Sequence, residues 1–288
     1  MACAGEAGWR SEIRSGPQSE WRELLWAFRN LVDRNNGRIA FYQVGAEHLP
    51  LYLDLGLGVY KLGEEAILPI DGFTLEGSAR KELRGAKNKG EREGLSFEIV
   101  PPQSDPALLN ELKNISDDWL KSREGHEKGF SVGSFNAAYL TAGSIAVARR
   151  EGRIVAFTNL LEGADKHELS VDLMRHRSDG PPGTMDYLFV ELLLWGAASG
   201  FRNFNFGMSP LSGLSSDRLA PLWSRIGNLI FIHSNRYYNF LGLRRYKDKF
   251  NPHWRPKYLA APGGLAVPRI LIDTAALVSG GVRELFTK

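Results

Sequence analysis

The pattern of apolar and polar positions along the chain switches between the period of a helix and that of a strand. Leu24, Phe28 and Leu31 recur at helical spacing, whereas apolar and polar residues alternate strictly over 167–174. The elements predicted for the first half are a helix over 20–33, a strand over 38–44, a short helix over 46–55, a strand over 65–70, a basic helix over 77–92, a strand over 97–100 and a helix over 105–123. This mixture predicts an α/β protein.

The second half has a clearer order of elements. The pattern predicts strands over 144–150 and 153–161 joined by a hairpin turn, a strand over 167–174, a helix over 184–199, a strand over 202–206, helices over 217–230 and 236–249, and an amphipathic segment over 268–278. Thr184 is the expected cap of its helix, and Asn205 is expected to face outward. Hairpin, strand, helix and strand follow one another in the core of the GNAT acyltransferase fold, which this part of the chain resembles.

The first half shows a looser version of the same order, which predicts a duplicated fold. A Gly-rich passage over 125–129 is the expected boundary. We therefore predict two tandem GNAT-like acyltransferase domains, each a mixed sheet flanked by helices, with residues 1–130 in the first and residues 131–288 in the second. The second domain is expected to carry the active site and a C-terminal basic helix.

Composition restricts the chemistry more than the fold. The net charge of the chain is only +3, so binding to an anion depends on local patches. Cys3 is the single cysteine, which excludes an internal disulfide and a cysteine-rich metal site, and six scattered histidines do not supply metal-ligand spacing. The start of the chain lacks the pattern of a signal peptide, and no segment reaches the roughly 18 apolar residues of a membrane helix. We expect a cytosolic protein that can still act at a membrane surface.

The most informative local patch is the segment 236–258. It carries seven Lys or Arg residues against one acid, Asp248, and aromatic residues are interleaved with them. Cations attract a phosphate backbone and aromatic rings stack on bases or sugars, so the segment suits a nucleic acid. The alternative is a solvated basic helix whose aromatic side chains pack inward. The same choice applies to the basic helix over 77–92, which we expect to be interrupted or ended near Gly85 or Gly90.

The segment 172–187 is expected to contain a strand end, a loop and a helix start, which is where GNAT enzymes bind their acyl donor. The first N–H groups of a helix favour an anion there. Pro181 and Pro182 remove two N–H donors from the loop, which argues against acetyl-CoA. Asp172 is on the polar side of its strand and Arg175 lies one residue past the expected strand end. An ion pair between the two is the structural alternative to a role in a site.

Six motifs follow one another along the chain. They are Lys61–Ala66, Arg80–Arg84 with Gly94–Val100, Asp172–Arg175, Phe206–Ser212, Tyr238–Arg244 and Lys247–Tyr258. Together they resemble the C-terminal catalytic domain of the MprF-type aminoacyl-phosphatidylglycerol synthases, over about 21–264 of this sequence. The resemblance implies transfer of an aminoacyl group, alanyl or lysyl, from charged tRNA to the headgroup hydroxyl of phosphatidylglycerol. Such a product lowers the negative charge of the membrane and gives resistance to cationic antimicrobials.

The resemblance also implies site residues. The family's Asp-x-x-Arg motif and its C-terminal lysine correspond to Asp172, Arg175 and Lys247. We assign Asp172 to act as a base or to orient the substrate, and Arg175 to contact a phosphate or the oxyanion. Lys247 is assigned to stabilise charge near the reacting ester. Ser209 and Ser212 follow a strand and are expected to line the pocket, or alternatively to form a structural turn. The other substrate-binding candidates are Arg236, Tyr238, Arg244, Arg245 and Lys249.

Exchange of one ester for another is close to energy-neutral, so the implied reaction needs no cofactor, ATP site or metal, and the sequence has no P-loop motif. The implied partners are aminoacyl-tRNA, phosphatidylglycerol and the membrane surface. The implied location is peripheral, at the cytoplasmic face of the inner membrane. The family's multi-span N-terminal membrane domain is not in this sequence, so we expect no lipid flipping.

Two other interpretations remain open. A Fem-type transferase that builds peptidoglycan cross-bridges shares the duplicated fold and the tRNA donor but has a polar acceptor. A non-catalytic module that binds tRNA or a membrane would be marked by the loss of Asp172 or Lys247, and both are present. His126, His233 and His253 are candidate bases, but a lone histidine is more often a hydrogen-bonded structural residue.

Overall fold

The computed structural model describes residues 2–4, 7–11, 17–103, 105–122, 134–215, 217, 240–264, 269–270 and 273. Contacts within the chain define two units. Unit 1 comprises Met1–Ala66, Met208–Tyr246 and His253–Lys288, and unit 2 comprises Ile67–Gly207 and Lys247–Pro252. Both units take residues from either side of residue 130, so they differ from the predicted boundary. The division into two tandem acyltransferase-like domains, 1–130 and 131–288, stays a prediction.

Strands and helices alternate along the chain. The strands are β1 (Ala2–Ala4), β2 (Ala7–Ser11), β3 (Arg38–Gly45), β4 (Gly58–Pro69), β5 (Leu95–Val100), β6 (Ile145–Arg150), β7 (Arg153–Glu162), β8 (Glu168–His176), β9 (Asn203–Pro210) and β10 (His253–Ala261). The helices are α1 (Trp21–Arg34), α2 (Leu49–Asp54), α3 (Lys81–Arg92), α4 (Pro106–Ser122), α5 (Ala137–Thr141), α6 (Thr184–Ala198) and α7 (Phe240–Asp248). Short 3-10 turns lie at Gln18–Glu20, Ala46–His48, Ser78–Arg80 and Ala164–Lys166.

The sheet of unit 1 has the strand order β1-β2-β3-β10-β4. β2 is parallel to β3, and β10 is antiparallel to β3, with Lys257 opposite Gly45. The apolar stripe of α1 packs against this sheet and α2, through Phe28, Phe41 and Tyr52 among others. Each buried side chain of this size contributes about 1.5–3 kcal/mol. The helix and strand predicted over 20–33 and 38–44 are confirmed.

The sheet of unit 2 has the strand order β9-β8-β7-β6-β5. β5 to β8 pair antiparallel in sequence, and β8 pairs in parallel with β9. Glu151 and Gly152 have φ angles of 50° and 78°, as a two-residue turn between twisted strands requires, and so confirm the predicted hairpin. The expected order of hairpin, strand, helix and strand is confirmed as β6–β7, β8, α6 and β9. A mixed sheet flanked by helices is therefore the fold class, as predicted.

An aromatic cluster ties three separate parts of unit 2 together. Phe189 on α6, Phe206 on β9 and Phe250 lie with ring centroids 4.7 to 5.8 Å apart. Phe250 is completely buried, as the alternative of inward-packing aromatic side chains expects for this basic segment. This burial is what fixes the residues around Lys247 in unit 2.

Helix α3 runs without a break through Gly85 and Gly90, so the expected interruption is wrong, whereas the alternative of an end near Gly90 matches the helix end at Arg92. Gly90 faces Tyr187 on α6, where an added Cβ would lie within 2.6 Å of the ring Cγ. Packing between the two helices, rather than a helix end, accounts for this glycine. The helix ends at Arg92, two residues before Gly94 takes a φ of 77°.

The start of α6 differs from the prediction. Gly183, with a φ of 92°, precedes the helix, and Thr184 is its first residue. The Thr184 hydroxyl donates to the Pro181 carbonyl at 2.6 Å, whereas an N-cap side chain accepts from a backbone N–H. Thr184 is therefore not the cap. Asn205, expected to face outward, is buried and donates to Glu168 at 3.2 Å.

The C-terminal part of the basic segment forms a strand that the pattern did not predict. β10 occupies His253–Ala261, and its Lys257 is buried in an ion pair with Glu65 at 3.1 Å. The solvated-helix alternative is therefore wrong for this stretch. The predicted helix over 217–230 lies outside the described residues.

Only three residues of the predicted amphipathic segment over 268–278 are described. One of them, Ile270, is fully buried with Leu259 and Tyr42 in the core of unit 1. This residue at least serves the fold rather than a membrane contact. Among the helices that the structure describes, none has both the length and the apolar character needed to cross a membrane.

Candidate active site

β8 and β9 lie side by side only at their beginnings. Their parallel pairing joins Glu168–Ser170 to Asn203–Asn205 and ends there, although β8 continues to His176 and β9 continues past Gly207. Strands that part at their carboxyl ends leave backbone groups unpaired between them, and ligands of open α/β sheets bind at such ends. The parting of β8 from β9 is therefore the candidate site in unit 2.

A β-bulge in β8 sets the direction of Asp172 at this point. On β7, Asn159 alone stands opposite two residues of β8, Asp172 and Leu173. The side-chain oxygen of Asn159 accepts the Leu173 N–H at 2.7 Å and satisfies a donor that the bulge removes from the ladder. Bulges commonly re-aim a side chain beside an active site. Here the Asp172 carboxylate accepts a hydrogen bond from the Tyr139 hydroxyl at 2.9 Å.

Tyr139 is held in place at both its backbone and its hydroxyl. The side chain of Asn136 caps α5 by accepting the Tyr139 N–H at 3.1 Å. Burial raises the pKa of the Tyr139 hydroxyl, and the charge of Asp172 and the hydrogen bond to it raise this pKa further, while a hydrogen bond with Asn159 acts in the opposite direction. The hydroxyl therefore stays protonated, as a donor to Asp172, throughout the neutral range.

Lys247 contacts β9 just past the stretch that pairs with β8. Its ammonium is only 5% exposed and donates to the Gly207 carbonyl at 2.9 Å. Ser170 and Asn205 form the last recorded pair of β8 and β9, so Asp172 and Gly207 are each two residues beyond it. Gly207, the acceptor of Lys247, and Asp172 therefore both lie just past the end of the pairing, one on each of the parting strands. Asp172 and the Lys247 contact are thus each found where the strands part, and their catalytic roles stay a prediction.

The conformation of Gly207 directs the carbonyl that Lys247 contacts. Gly207 has a φ of 77°, and its N–H donates to the Asn205 side chain at 2.7 Å. Only glycine adopts this left-handed conformation at little cost. The local turn of β9 is therefore part of what positions Lys247.

Arg175 lies within β8 rather than one residue beyond it, because the strand extends to His176. The side chain is 7% exposed, its guanidinium lies 4.3 Å from the centre of the Trp119 ring, and its Nε donates to Ser116 at 3.3 Å. In the described part of the chain, Asp172 forms no ion pair with Arg175. The ion-pair alternative is therefore wrong, and Arg175 instead fastens β8 to α4.

The N-terminus of α6 already faces charges of the protein itself. Asp186 lies in the first turn of the helix, and Lys249 donates to its two carboxylate oxygens at 3.2 and 3.4 Å. A carboxylate in the first turn satisfies the positive end of the helix dipole. Lys249, predicted to bind substrate, therefore has a protein partner in this structure.

In unit 1, Glu64 forms ion pairs with two basic residues of the predicted motifs, Lys61 and Arg244. Lys61 donates to its carboxylate at 2.8 Å, and Arg244 pairs with the same group while its guanidinium lies 4.1 Å from the centre of the Trp254 ring. Burial alone would raise the pKa of the Glu64 carboxyl, but the hydrogen bonds and charges of Lys61 and Arg244 outweigh it and hold this pKa below its ordinary value. Lys61 also donates to the Gly213 carbonyl at 2.7 Å.

Ser209 and Ser212 form a turn after β9 and are both fully buried. The Ser212 hydroxyl donates to the Ser209 carbonyl at 2.9 Å, which closes the turn. Within the described residues, the Ser209 hydroxyl has no hydrogen-bond partner. Ser212 thus matches the structural alternative, and the role of Ser209 in substrate binding stays a prediction.

The remaining candidates are two exposed residues and four residues that the structure does not describe. Arg245 is exposed on α7, and His253 is exposed at the start of β10. Arg236, Tyr238, His126 and His233 lie outside the described residues. The side chains that are described include no cluster of three or more His, Cys, Asp or Glu residues that could hold a metal ion.

Sequence patterns did not single out Tyr139 or Asn159, and they included Glu64 only as part of the Lys61–Ala66 motif. Asn159 lies within a strand that reads as apolar, and a polar residue at a buried strand position is a usable signal of a bulge or a site. Tyr139 carries no such signal, because its five-residue helix follows a long stretch without a clear period.

A family model for the C-terminal part of phosphatidylglycerol lysyltransferase matches residues 15–261. The chain belongs to this family. The phosphatidylglycerol lysyltransferase of Bacillus subtilis (strain 168) is 42% identical over 248 residues, and that of Staphylococcus aureus (strain MRSA252) is 39% identical over 245 residues. Each match covers 85% of this chain and 29% of the relative. The resemblance drawn from the six motifs is therefore confirmed, and the chain spans less than a third of the length of these curated relatives.

Solved structures of the phosphatidylglycerol lysyltransferase family have the same fold. The C-terminal domain of a putative lysylphosphatidylglycerol synthetase from Agrobacterium fabrum matches with a TM-score of 0.86 and 37% identity, over 98% of this chain and 86% of that chain. A structure titled L-PGS from Bacillus licheniformis matches with the same TM-score and identity, over 98% of this chain and 85% of that chain. FemX matches with a TM-score of 0.59 at 10% identity, over 92% of this chain and 82% of that chain, which shows a shared fold alone.

Proposed function

We propose that this chain is an aminoacyltransferase domain that moves an aminoacyl group from aminoacyl-tRNA to the headgroup hydroxyl of phosphatidylglycerol. The named activity of its relatives supports this assignment. What supports it in the molecule itself is that Asp172 on β8 and Gly207, the acceptor of Lys247, on β9 both lie just past the last pair of these strands. A carboxylate and an ammonium there are the two groups that ester exchange needs.

In the proposed reaction, Asp172 accepts the proton of the headgroup hydroxyl as its oxygen attacks the ester carbonyl carbon. Lys247 stabilises the negative charge that develops on the carbonyl oxygen. An ammonium has three donors, so the bond to Gly207 does not prevent a second contact. The bond from the carbonyl carbon to the ribose oxygen then breaks, and this oxygen takes the proton from Asp172. One ester forms as the other is lost, so no energy source is required.

Arg175 has a supporting part in this proposal. Its stack on Trp119 and its bond to Ser116 hold β8 against α4, three residues from Asp172. In this structure its guanidinium contacts Trp119, Ser116 and the Met174 carbonyl. We therefore propose that Arg175 keeps the bulged strand rigid and adds positive potential to the site.

The amino acid transferred is proposed to be lysine, because the curated relatives are named lysyltransferases. The lipid acceptor places the protein at a membrane surface, where the proposed contact is peripheral. Basic residues that bind tRNA would come from α3 and from the segment that includes α7.

The test supplies the purified chain with radiolabelled lysyl-tRNA or alanyl-tRNA and phosphatidylglycerol in mixed micelles. Label extracted into the lipid phase from lysyl-tRNA supports the proposal, and label from alanyl-tRNA alone corrects the amino acid. Transfer to a peptidoglycan precursor instead of lipid would favour the Fem-type alternative. Binding of tRNA without transfer to either acceptor would leave the non-catalytic module as the better interpretation.

A further inference from the structure

The hydroxyl of Tyr139 has two side-chain partners, Asn159 and Asp172. The direction of each hydrogen bond follows from which groups can donate. A backbone N–H can only donate, so the Asn159 side-chain oxygen that meets the Leu173 N–H must be the acceptor. The Asn159 amide nitrogen is then the group left to donate to the phenolic oxygen, in line with the hydrogen bond with Asn159 that acts to lower the pKa of the Tyr139 hydroxyl. The phenolic hydrogen is thereby directed to the remaining partner, Asp172, 2.9 Å away.

This chain of donors runs from Asn159 through Tyr139 to one oxygen, Oδ2, of Asp172. A carboxylate has two oxygens and several lone pairs, so fixing Oδ2 leaves Oδ1 to meet another group. The carboxylate plane is also set, because the bulge holds the backbone and Tyr139 holds the side chain. A base whose orientation is fixed before substrate arrives loses less entropy in the reaction.

We propose that Tyr139 is a positioning residue that holds Asp172 so that its second oxygen faces the acceptor hydroxyl. This inference rests on the proposed transferase function. In this role Tyr139 acts through Asp172, which accepts its hydroxyl. The raised pKa of its hydroxyl is consistent with the role, since a positioning donor has to keep its proton.

The exposure of Tyr139 separates this role from ordinary packing. The side chain is 38% exposed, whereas the next residue, Leu140, is buried in the core of unit 2. Core contacts of α5 therefore depend on Leu140, and the hydroxyl of Tyr139 is the part that the site uses. Tyr139→Phe removes this hydroxyl and keeps the ring.

The experiment measures steady-state transfer by the Tyr139→Phe chain with both substrates varied. We expect kcat to fall about ten- to a hundredfold, the effect of one lost hydrogen bond to a charged group, with KM for tRNA and lipid unchanged. Tyr187→Phe is the matched control, since its buried hydroxyl donates to Leu95 at 3.3 Å away from Asp172. This control is expected to keep the wild-type kcat.

A double variant distinguishes positioning from a general loss of folding. In an Asp172→Asn background, Tyr139→Phe should cause little further loss, because a residue that acts only through Asp172 cannot act twice. A full additional loss, or a Tyr139→Phe chain with wild-type kcat, would overturn the proposal.

Failure of the transferase function itself is recognised separately. If the wild-type chain transfers nothing, the ionisation of Tyr139, followed by NMR of carbon-labelled tyrosine and assigned with Tyr139→Phe, still tests the contact. Asp172→Asn should move this ionisation to lower pH, because it removes the negative charge next to the hydroxyl. An unchanged ionisation would show that Tyr139 does not hold Asp172.

Discussion

Buried lysines distinguish this chain from the usual behaviour of a basic run. Charge clusters ordinarily form solvated faces, yet Lys247 and Lys257 are 5% and 4% exposed. Lys257 pairs with a carboxylate, Glu65, and Lys247 meets the carbonyl of Gly207. Burial of an ammonium costs several kcal/mol unless its hydrogens are bonded, so each of these positions has a specific structural reason.

Replacement of Lys247 by methionine tests its proposed role in the transfer step. Methionine fills the space of the lysine stem and removes the charge, so single-turnover transfer should fall by about a hundredfold or more. The thermal melt should change less, by the cost of leaving one carbonyl unbonded. Lys113→Met, an exposed lysine of α4, is the control and should transfer normally. Near-normal transfer by Lys247→Met would leave the basic segment as an RNA contact only.

Glu64 offers a test of stability against pH. The pKa of its carboxyl is lower in the folded chain than the ordinary value of 4.5, so its contribution is present above that pH and is lost as the pH falls through the folded value. Glu64→Gln should therefore lower the free energy of unfolding by about 1 kcal/mol at neutral pH. The difference from wild type should vanish in acid.

Urea titrations at neutral and acid pH measure this difference for Glu64. Glu98→Gln is the control, because the ion pair of Glu98 with Arg149 is exposed and should contribute little at either pH. A Glu64→Gln effect that is as large in acid as at neutral pH would contradict the ion-pair explanation.

At the scale of elements, helices and strands with a regular pattern were predictable, and irregular ones were not. The hairpin of β6 and β7 followed from apolar runs around Glu151-Gly152. β10 was missed because its cations and aromatic residues read as a helix, while only pairing with β3 far along the chain makes it a strand. The bulge at Asp172 was equally invisible, since it depends on which residue of β7 stands opposite.

The sequence allowed the candidate site residues to be named, but not their contacts in the folded chain. Asp172, Arg175 and Lys247 were proposed from motifs, and in the structure Asp172 and the acceptor of Lys247 each lie just past the paired stretch of β8 and β9. The contact of Arg175 with Trp119, in place of an ion pair with Asp172, could not be predicted from residue spacing. It depends on how α4 packs against β8. Long-range packing of this kind leaves no local periodic signal.

The two glycines of α3 provide a matched pair for testing how it packs. Gly90→Ala should lower the free energy of unfolding by about 1–3 kcal/mol, because its Cβ would overlap the Tyr187 ring. Gly85→Ala should raise it by up to about 1 kcal/mol, since that position is open and alanine favours a helix. Chemical denaturation of both variants decides the matter. Equal effects of the two changes would mean that α3 does not pack on α6 through Gly90.

Only some of the basic residues of α3 are exposed and available to contact RNA. Arg84 and Lys87 are engaged by carbonyls and by Glu191, while Lys81, Lys89 and Arg92 are exposed. Changing these three exposed residues to glutamine should reduce the slope of log affinity for tRNA against log salt by about two to three, one phosphate contact for each cation.

Filter binding over a range of salt concentrations measures that slope. The control changes three exposed cations elsewhere in unit 2, Lys113, Lys121 and Arg153, to glutamine. The control should alter the slope much less. An equal change in both triple variants would mean that only net charge matters and that α3 is not an RNA contact.

At the scale of the molecule, the proposed reaction requires no cofactor, metal or energy source beyond its two substrates. Because ester exchange needs no energy input, transfer should proceed with charged tRNA and lipid alone, and it should survive a chelator and the absence of ATP and acetyl-CoA. The measurement is lipid-extracted label after dialysis against chelator, with and without each addition. A strict need for any of them would overturn ester exchange as the mechanism. The matched control restores each addition singly to the dialysed protein.

The interleaving of the two units has a consequence for how the protein is made. Unit 2 is complete once Pro252 has been added to the chain, whereas unit 1 still lacks β10, the strand that flanks β3. During translation, residues 1–66 therefore remain without part of their sheet until the whole of unit 2 has been synthesised. We expect unit 2 to fold first, and the exposed edge of β3 to be the point where a nascent chain depends on a chaperone.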